Sequence, residues 1–465
     1  MKKNIFYVLL LLLALGPLCA QDYPRGAILD DAIYESLPRK AVQHSKALDV
    51  LPRAASLKQY APFAGNQGNY GTCVAWATGY AARTISESVG INRQDRADTT
   101  GNVFSPVYVY KRISNDPECQ RGTLISDALN IMVDPGLPRR SITERAADFK
   151  TVPLSLYQNS PKFPIAEYAT LYSSRRGETG YDVTRVQAVK TNLANGKPVI
   201  IGMNTPDSFN MKAKSPWEPQ ADPGIDHGGH AMCVVGYDDS RYGGAFEIQN
   251  SWGEGFGERG YIWIKYDDFV RFVNHAYEIT ENLSTSKDAT RYSGFVDIEL
   301  RRADGGMPVR YDERGFYRTT NSWPSGTVFR FLMGNDHPAF VYAFSADSST
   351  AKTDVIFPRG NESPALDYSK NIIAWPSEHD WIRMDDVIGT DYLVVLYSKQ
   401  KLDIDAVRTR FANTTGSFPE RVARVVGSNY VQPSRIQFDK SHIKFSASST
   451  NSNAVMGLLL AIDHH

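Results

Sequence analysis

The sequence has no excess of either charge, few cysteines and only one long apolar run. Lysine plus arginine equal aspartate plus glutamate at 51 each. Nucleic-acid-binding and polybasic membrane-binding proteins need concentrated positive charge, so the composition argues against both classes of partner. The 465 residues are enough for two or three domains with ordinary hydrophobic cores.

The single long apolar run lies at the N-terminus. It extends from Ile5 to Leu15 behind two lysines, and a Gly-Pro break and Ala20 follow it. This order is typical of a bacterial secretory signal that is cleaved after Ala20, and lipid attachment at Cys19 is the alternative. No later stretch is long and apolar enough to cross a bilayer. We therefore predict an exported protein, in the periplasm, on the cell surface or outside the cell, with no transmembrane segment in the mature chain.

Only four cysteines are present, and Cys19 leaves with the signal. Cys73, Cys119 and Cys233 remain, and three cysteines cannot all pair with one another. At least one of them therefore carries a free thiol or a bridge to another chain.

The pattern of the sequence divides the chain into four segments. Residues 1–20 are the predicted signal, and residues 21–58 are a proline-spaced lead-in with room for one short helix. Residues 59–283 mix helical and strand patterns. Residues 290–465 contain short apolar runs such as DYLVVLYS between polar turns, which predicts a mainly β, sandwich-like domain with a helix near 403–412.

Cys73 stands where a glycine-rich stretch becomes a helix. In GNQGNYGTCVAWATGYAART, Thr72 suits the N-cap, and Val74, Ala77 and Ala81 recur at helical spacing. The free N–H groups and the dipole at a helix start favour a thiolate, which is the form that a nucleophilic sulfur needs. The same pattern suits a buried structural cysteine, so this stretch alone leaves both interpretations open.

His230 and Asn250 lie at the ends of two predicted neighbouring strands. In GIDHGGHAMCVVGYDD an apolar run follows His230, and in GAFEIQNSWGEGFGERGYIWIKY a strand ends at Asn250. Antiparallel pairing of these strands brings the two side chains together. An amide oxygen that accepts from one ring nitrogen fixes the tautomer and leaves the other nitrogen for the sulfur.

Asp226, His227 and His230 are residue types that bind metal ions. The Gly-Gly pair between the two histidines disfavours the helix that would align them as ligands, so we predict no metal site.

Together, these three stretches resemble the papain-like cysteine peptidases. NQGNYGTCVAWA is similar to the nucleophile segment of that family, GHAMCVVGYD to its histidine segment and IQNSWGEGFGERGYIWI to its asparagine segment, in the same order. The third is the most specific, since Asn-Ser-Trp-Gly followed by Gly-x-x-Gly-Tyr rarely occurs by chance. The resemblance implies an α+β fold with a helical lobe, an antiparallel β lobe and a substrate cleft between them.

The resemblance also implies a role for each motif residue. Cys73 is expected to be the nucleophile and His230 the general base and acid, oriented by Asn250. Gln67 is expected to donate an amide N–H to the oxyanion. Trp252 is expected to shield the hydrogen bond between His230 and Asn250 from water and to border the substrate cleft. The implied resting state is a thiolate paired with an imidazolium.

Three positions depart from the family pattern. Tyr70 stands where the family has a disulfide cysteine, so Cys119 is expected to be a free thiol, and Val74 replaces a tryptophan. Arg121-Gly122 stands where the family has two glycines along its main specificity pocket. Gly122 is therefore the predicted substrate contact there, and Arg121 is expected to crowd or charge that side of the cleft.

Regions outside the motifs have no assigned role. Residues 21–58 are shorter than the usual inhibitory propeptide, so we do not expect a standard zymogen. Occlusion of the cleft by these residues is the alternative. The insert MNTPDSFNMKAKSPWEPQADPGIDHGG is long enough to block a cleft, as an exopeptidase requires. The runs YAFSAD, DVIFP and DYLVVLYSK resemble a β-rich domain of unknown function on exported bacterial peptidases. Substrate docking, surface attachment and stabilisation are its open roles.

The sequence thus predicts an exported, monomeric cysteine peptidase that acts on peptide or protein substrates through a Cys-His-Asn triad and an acyl-enzyme. It needs no cofactor. Two alternatives stay open: an acyl transferase with the same triad, and a non-catalytic peptide-binding protein with a peptidase-like cleft.

Overall fold

The computed structural model describes residues 23–45, 51–174, 182–302, 305–347 and 352–465. The predicted secretory signal, residues 1–20, lies outside the described residues. Among the helices of the described ranges, none is both long and apolar enough to cross a membrane.

Helices form one lobe of the first half of the chain. The Cys73 helix consists of three consecutive parts, α-helical Cys73–Ala75, π-helical Trp76–Arg83 and α-helical Thr84–Gly90. Other α-helices of this lobe among the described residues are Arg96–Gly101, Pro106–Ile113, Ile125–Val133 and Ile142–Ala146. Three further helices, Asp31–Ser36, Val183–Ala194 and Tyr266–Phe272, contact strands of the sheet that forms the other lobe. Short 3₁₀ turns are Lys58–Tyr60, Phe149–Thr151, Leu154–Tyr157, Arg241–Gly243 and Leu283–Thr285. The widened π turns follow directly on the turn that carries Cys73, a position where such turns often accompany function.

A nine-stranded sheet forms the other lobe. Its strands are β1 (Ala27–Ile28), β2 (Ala54–Ser56), β3 (Thr123–Leu124), β4 (Glu167–Thr170), β5 (Val199–Asn204), β6 (Gly229–Asp238), β7 (Ala245–Gln249), β8 (Tyr261–Lys265) and β9 (Val273–Thr280). The main order is β3-β1-β6-β5-β9-β4, with β2 and β7 also on β6 and β8 on β7. The β1–β3 pair is parallel, whereas β6 and β7 are antiparallel as the sequence predicted. His230 thus lies near the start of β6, and Asn250 follows the end of β7.

The second half of the chain is a sandwich of two sheets. Its strands are β10 (Arg291–Leu300), β11 (Val309–Asp312), β12 (Phe316–Thr319), β13 (Val328–Asn335), β14 (Ala339–Asp347), β15 (Thr353–Phe357), β16 (Ala365–Leu366), β17 (Asn371–Trp375), β18 (Ile382–Arg383), β19 (Gly389–Ser398), β20 (Gln437–Phe438), β21 (Ile443–Ser448) and β22 (Val455–His464). One sheet has the order β17-β13-β10-β21-β20 with β18 on β13, and the other β11-β12-β22-β19-β14-β15 with β16 on β14. Apolar side chains of both sheets, such as Val296 and Val395, share one buried core.

Two helices cover the outer face of the larger of these sheets. Ile404–Ala412 is the helix that the sequence predicted, whereas Phe418–Val426 was missed. The missed helix carries a local signal, because Ser417 and Glu420 form a reciprocal capping box at its start. The predicted fold class, a two-lobed α+β domain followed by a mainly β sandwich-like domain, is confirmed.

The N-terminal segment contacts both halves of the chain. The helix Asp31–Ser36 of this segment packs on β9 through Tyr34, whose ring stacks on His275 at 4.2 Å between centroids. The Tyr34 hydroxyl donates to the Tyr172 carbonyl at 2.7 Å. Before this helix the chain forms β1, next to β6, and after it the chain reaches the sandwich at Arg39.

Candidate active site

The sulfur of Cys73 lies at the start of its helix and is fully buried. Thr72 occupies the N-cap position as predicted, but its hydroxyl makes no capping hydrogen bond. The sulfur instead accepts two backbone N–H groups, from Ala231 at 3.5 Å and from Gly26 at 3.3 Å. The first contact holds the sulfur beside the residue that follows His230.

His230 is oriented by Asn250. Its Nε2 lies 2.8 Å from Asn250 Oδ1, and that oxygen also accepts the backbone N–H of Ser251 at 2.7 Å. Because an amide oxygen only accepts, Nε2 carries the ring proton. The other ring nitrogen, Nδ1, is buried and has no hydrogen-bond partner among the described residues. His230 therefore offers an unprotonated nitrogen on the strand that borders the thiol.

The Gln67 amide is held so that its nitrogen donates both to its own loop and to the segment in the cleft. Its Oε1 accepts the hydroxyl of Ser251 at 2.7 Å. Its Nε2 donates to the Tyr70 carbonyl at 2.8 Å and to the Pro24 carbonyl at 3.0 Å. The nitrogen thus already binds a peptide carbonyl, that of Pro24.

The Trp252 ring packs against that of His230. Its ring centroid lies 4.9 Å from that of His230, and Phe256 packs edge-on against it at 5.1 Å. Phe209 also packs against Trp252, at 5.6 Å. This apolar cover excludes water from the His230–Asn250 hydrogen bond.

The insert before His230 forms part of this aromatic cover. Phe209 and Trp217, both from the insert, contact each other with ring centroids 5.4 Å apart. Asp207 of the same insert forms an ion pair with Arg25 at 3.0 Å. Sequence reasoning missed these residues, and the available signal was two aromatic residues inside an otherwise polar insert.

Residues 23–28 fill the cleft itself. Tyr23 stacks on Trp252 at 5.4 Å, and the Gly26 carbonyl accepts the backbone N–H of Thr123 at 3.0 Å. A Cβ at Gly26 would lie 2.0 Å from the Gly71 carbonyl oxygen, so only glycine fits there. The sequence predicted no standard zymogen, yet the short lead-in occludes the thiol.

The predicted specificity pair lies along this segment. A Cβ at Gly122 would lie 3.4 Å from the carbonyl of Gly26, which places Gly122 on the cleft wall. Arg121 is exposed, with its N–H bonded to Asp116 at 2.7 Å and its carbonyl to Tyr110 at 2.8 Å.

Among the described residues, the other thiols and the acidic and histidine side chains form no cluster of metal-ligand type. Cys119 and Cys233 are buried and free, as is Cys73, which confirms the free thiol expected at Cys119. Within the described ranges, no three or more His, Cys, Asp or Glu side chains cluster so as to hold a metal ion. His227, which the sequence weighed as a ligand, places Nε2 2.8 Å from the Asp222 carbonyl.

Burial determines the ionisation of the closed site. Loss of solvent raises the pKa of the Cys73 thiol to about 11, although the N–H groups of Ala231 and Gly26 oppose this. Burial also lowers the pKa of His230 to about 4, against the opposing effect of Asn250. The closed cleft thus favours a neutral thiol and a neutral imidazole. This neutral state of the two side chains differs from the thiolate and imidazolium pair that the resemblance implied.

One family model and several solved structures are similar to part of this chain. The model of the family described as papain family cysteine protease matches residues 58–285. Xylellain, a cysteine protease from Xylella fastidiosa, is 22% identical over 56% of this chain and 97% of its own, with a TM-score of 0.42. Digestive procathepsin L 3 from the larval midgut of Tenebrio molitor is 18% identical over 56% of this chain and 77% of its own, with a TM-score of 0.40. Through residues 58–285 this chain belongs to the papain family of cysteine proteases and is a cysteine peptidase.

Proposed function

We propose that this peptidase cleaves peptide or protein substrates through Cys73, His230 and Asn250, with Gln67 as oxyanion donor. The observation that carries the proposal is the His230 Nε2–Asn250 Oδ1 bond of 2.8 Å. That bond assigns the ring proton to Nε2 and leaves Nδ1 unprotonated, on the residue next to Ala231, whose N–H contacts the Cys73 sulfur. A general base must have this tautomer before it can accept a proton from the nucleophile.

In the acylation step, Nδ1 of His230 takes the proton of the Cys73 thiol, and the sulfur attacks the substrate carbonyl carbon. The carbonyl π bond becomes an oxyanion, which accepts the amide N–H of Gln67 and the backbone N–H of Cys73. The oxyanion then re-forms the carbonyl, the C–N bond breaks, and the imidazolium gives its proton to the leaving amine. A thioester on Cys73 remains.

In the deacylation step, a water molecule gives a proton to His230 Nδ1 and attacks the thioester carbon. The C–S bond breaks, the thiol recovers its proton from the imidazolium, and a carboxylic acid leaves. Asn250 holds the ring in one orientation through both steps, because its oxygen accepts from Nε2 throughout. An added amine that competed with water here would make the enzyme an acyl transferase.

The Pro24 carbonyl marks where a substrate carbonyl would lie. Gln67 Nε2 donates to it at 3.0 Å, and the Cys73 sulfur is buried beneath the same segment. A substrate therefore needs residues 23–28 to leave the cleft. The active form is an open one, and the closed form is latent.

The test compares Cys73→Ala with Cys119→Ala, a matched loss of another buried free thiol, in full-length chains that also carry Tyr23→Ala to loosen the cleft segment. We expect peptide hydrolysis to disappear in the first and persist in the second. Equal hydrolysis in both chains would overturn the proposal. Addition of free amines to the reaction distinguishes hydrolysis, which yields acids, from acyl transfer, which yields amides.

We also propose that the enzyme is exported. Support comes from residues 1–20, where a charged start, an apolar run and a small residue follow one another. Cell fractionation combined with N-terminal sequencing tests this, and we expect a non-cytoplasmic protein that begins at Gln21. A cytoplasmic protein that retains Met1 would contradict it.

A further inference from the structure

The N-terminal segment has two parts with different partners. We call residues 23–29 the cleft segment and residues 38–45 the anchor segment, and helix Asp31–Ser36 joins them. The cleft segment lies on the peptidase site, and the anchor segment lies between the peptidase domain and the β-rich domain. One short chain thus connects the active site to the domain that has no assigned role.

The anchor segment pairs with both domains through its backbone. On the peptidase side, the Pro38 carbonyl accepts the N–H of Thr170 at 2.8 Å, and Lys40 donates its N–H back to Thr170 at 2.8 Å. On the other side, Arg39 donates its N–H to Asn361 at 2.8 Å and accepts the N–H of Ser363 at 2.7 Å. The segment therefore lies as an extended strand between the two domains.

Buried side chains reinforce the same junction. Lys40 Nζ lies 2.7 Å from Glu278 of the peptidase domain and 2.5 Å from Asp367 of the β-rich domain. All three side chains are buried, so their charges are little screened by solvent. Ala41, the next residue, belongs to the hydrophobic core of the β-rich domain.

The far end of the anchor segment is bound by the β-rich domain. His44 donates its N–H to the Ile372 carbonyl at 2.7 Å, and Gln43 accepts the N–H of Ile372 at 3.1 Å. The hydroxyl of Ser45 donates to Glu378 at 2.8 Å. The Asn361 amide adds bonds to the Leu37 carbonyl at 2.8 Å and the Glu35 carbonyl at 3.2 Å, which hold the end of the connecting helix.

The cleft segment is bound by the peptidase domain, through strand β1 and through Arg25, which donates to the His227 carbonyl at 2.6 Å. Its strand β1 has only two residues, and a pairing of that length is marginal by itself. Ile28, in this strand, exposes 49% of its surface. A tether nevertheless raises the local concentration of a weak ligand to the millimolar range and makes binding within the chain far more favourable. The contacts of the anchor segment supply such a tether.

We propose that the β-rich domain acts as the anchor of an inhibitory N-terminal segment and so controls access to Cys73. The inference rests on the proposed function, because latency has meaning only for an active thiol. The surface that holds the anchor segment is formed by residues 361–378 of the β-rich domain. Loss of the anchor frees the cleft segment to leave the site, although no residue of the peptidase site has changed.

The experiment measures alkylation of Cys73 by iodoacetamide in the full-length chain, read by peptide mass spectrometry. The variants are Asn361→Ala and Glu378→Ala, whose side chains contact the end of the connecting helix and Ser45 of the anchor segment; both lie in the β-rich domain and outside the proposed catalytic set. Asn413→Ala is the matched control, because Asn413 is likewise exposed and its amide bonds only to the Thr409 carbonyl at 2.9 Å. We expect alkylation to become about tenfold faster in each anchor variant, since each loses contacts equivalent to one or two hydrogen bonds, and to stay unchanged in the control.

Hydrogen exchange in the same samples separates release of the anchor from unfolding. Amides of residues 39–45 and of Thr123 should exchange faster in the anchor variants, whereas amides of β19 in the sandwich core should not. Faster exchange in residues 39–45 with alkylation at the rate of the unaltered chain would overturn the inference. Tyr23→Ala loosens the cleft segment directly, without a change in the anchor segment. If that variant alkylates rapidly but hydrolyses no peptide, the proposed function fails, whereas the anchor result is still measured.

Discussion

The backbone N–H of Gly26 points at the sulfur of Cys73 from 3.3 Å. It occupies a position that water or substrate would otherwise take, and the sulfur has no exposed surface. An N–H donor lowers a thiol pKa, but the burial that accompanies it raises the pKa more, to about 11. The segment that approaches the nucleophile therefore also reduces its reactivity.

Loss of the Tyr23 ring should weaken this closed form. Tyr23 stacks on Trp252 at 5.4 Å, and such a pair contributes about 0.5–1.5 kcal/mol beyond its buried area. We expect Tyr23→Ala to speed alkylation of Cys73 about two- to tenfold. Tyr242→Ala, at an exposed tyrosine in the turn Arg241–Gly243, is the control. Identical rates in the two variants would show that the stack does not hold the segment.

Asn250 should act through the histidine rather than on the substrate. Asn250→Ala removes the acceptor of His230 Nε2, and we expect kcat to fall about 10²-fold with little change in KM. Asn250→Asp keeps an acceptor and adds a negative charge, so it should restore much of kcat and raise the pKa of His230 in the pH profile of kcat. An alanine variant with normal kcat would remove the positioning role.

Gln67 should contribute mainly in the transition state. Gln67→Ala removes one of the two oxyanion donors, and loss of one such donor in other enzymes costs about 10²–10³ in kcat. The closed form should weaken at the same time, because Gln67 also donates to Pro24. Kinetics in the Tyr23→Ala background isolates the catalytic part. Gln120→Ala, at an exposed amide that donates to the Asn69 carbonyl at 2.9 Å, should leave kcat unchanged.

Acid should favour opening of the cleft. The pKa of His230 is about 4 in the closed form, whereas that of a solvated histidine is about 6.5. His230 therefore takes up a proton less readily in the closed form than in an open one. The stability that the neutral histidine gives the closed form is complete above about pH 6.5 and is lost as the pH falls toward 4. We expect the Thr123 amide of the unaltered chain, which donates to the Gly26 carbonyl, to lose hydrogen-exchange protection from pH 7 to pH 5 after correction for the intrinsic exchange rate at each pH. Protection that stays constant would mean that His230 does not couple to closure.

The buried charges at Lys40 should govern stability at the junction of the two domains. Lys40→Met leaves Lys197 as the remaining lysine paired with Glu278 and Asp367, so the loss of stability should fall below the cost of breaking an isolated buried pair, which is about 3–5 kcal/mol. We expect the midpoint of thermal unfolding to fall clearly. Lys352→Met, at a solvent-exposed lysine paired with Asp354 at 3.2 Å, should change the midpoint little. Equal midpoints in the two variants would contradict this assignment.

Much of the fold could be predicted because its signals are local. Strand alternation placed His230 and Asn250 on neighbouring antiparallel strands, and Ile404–Ala412 was predicted within a residue of its bounds. The helix Phe418–Val426 also had a capping signal, but the surrounding β-rich pattern obscured it. Phe209 and Trp217 could not be placed, since no local pattern indicates that an insert packs on Trp252.

By itself the sequence determined which chemical groups are present and in what local setting: a thiol at a helix start, a histidine at a strand start, and an amide at a strand end. These depend on backbone geometry within a few residues. The tertiary structure alone decided that residues 23–28 cover the thiol and that Lys40 joins both domains, because those contacts link distant parts of the chain. It also decided the ionisation of the site, since the pKa values of Cys73 and His230 depend on burial by that segment.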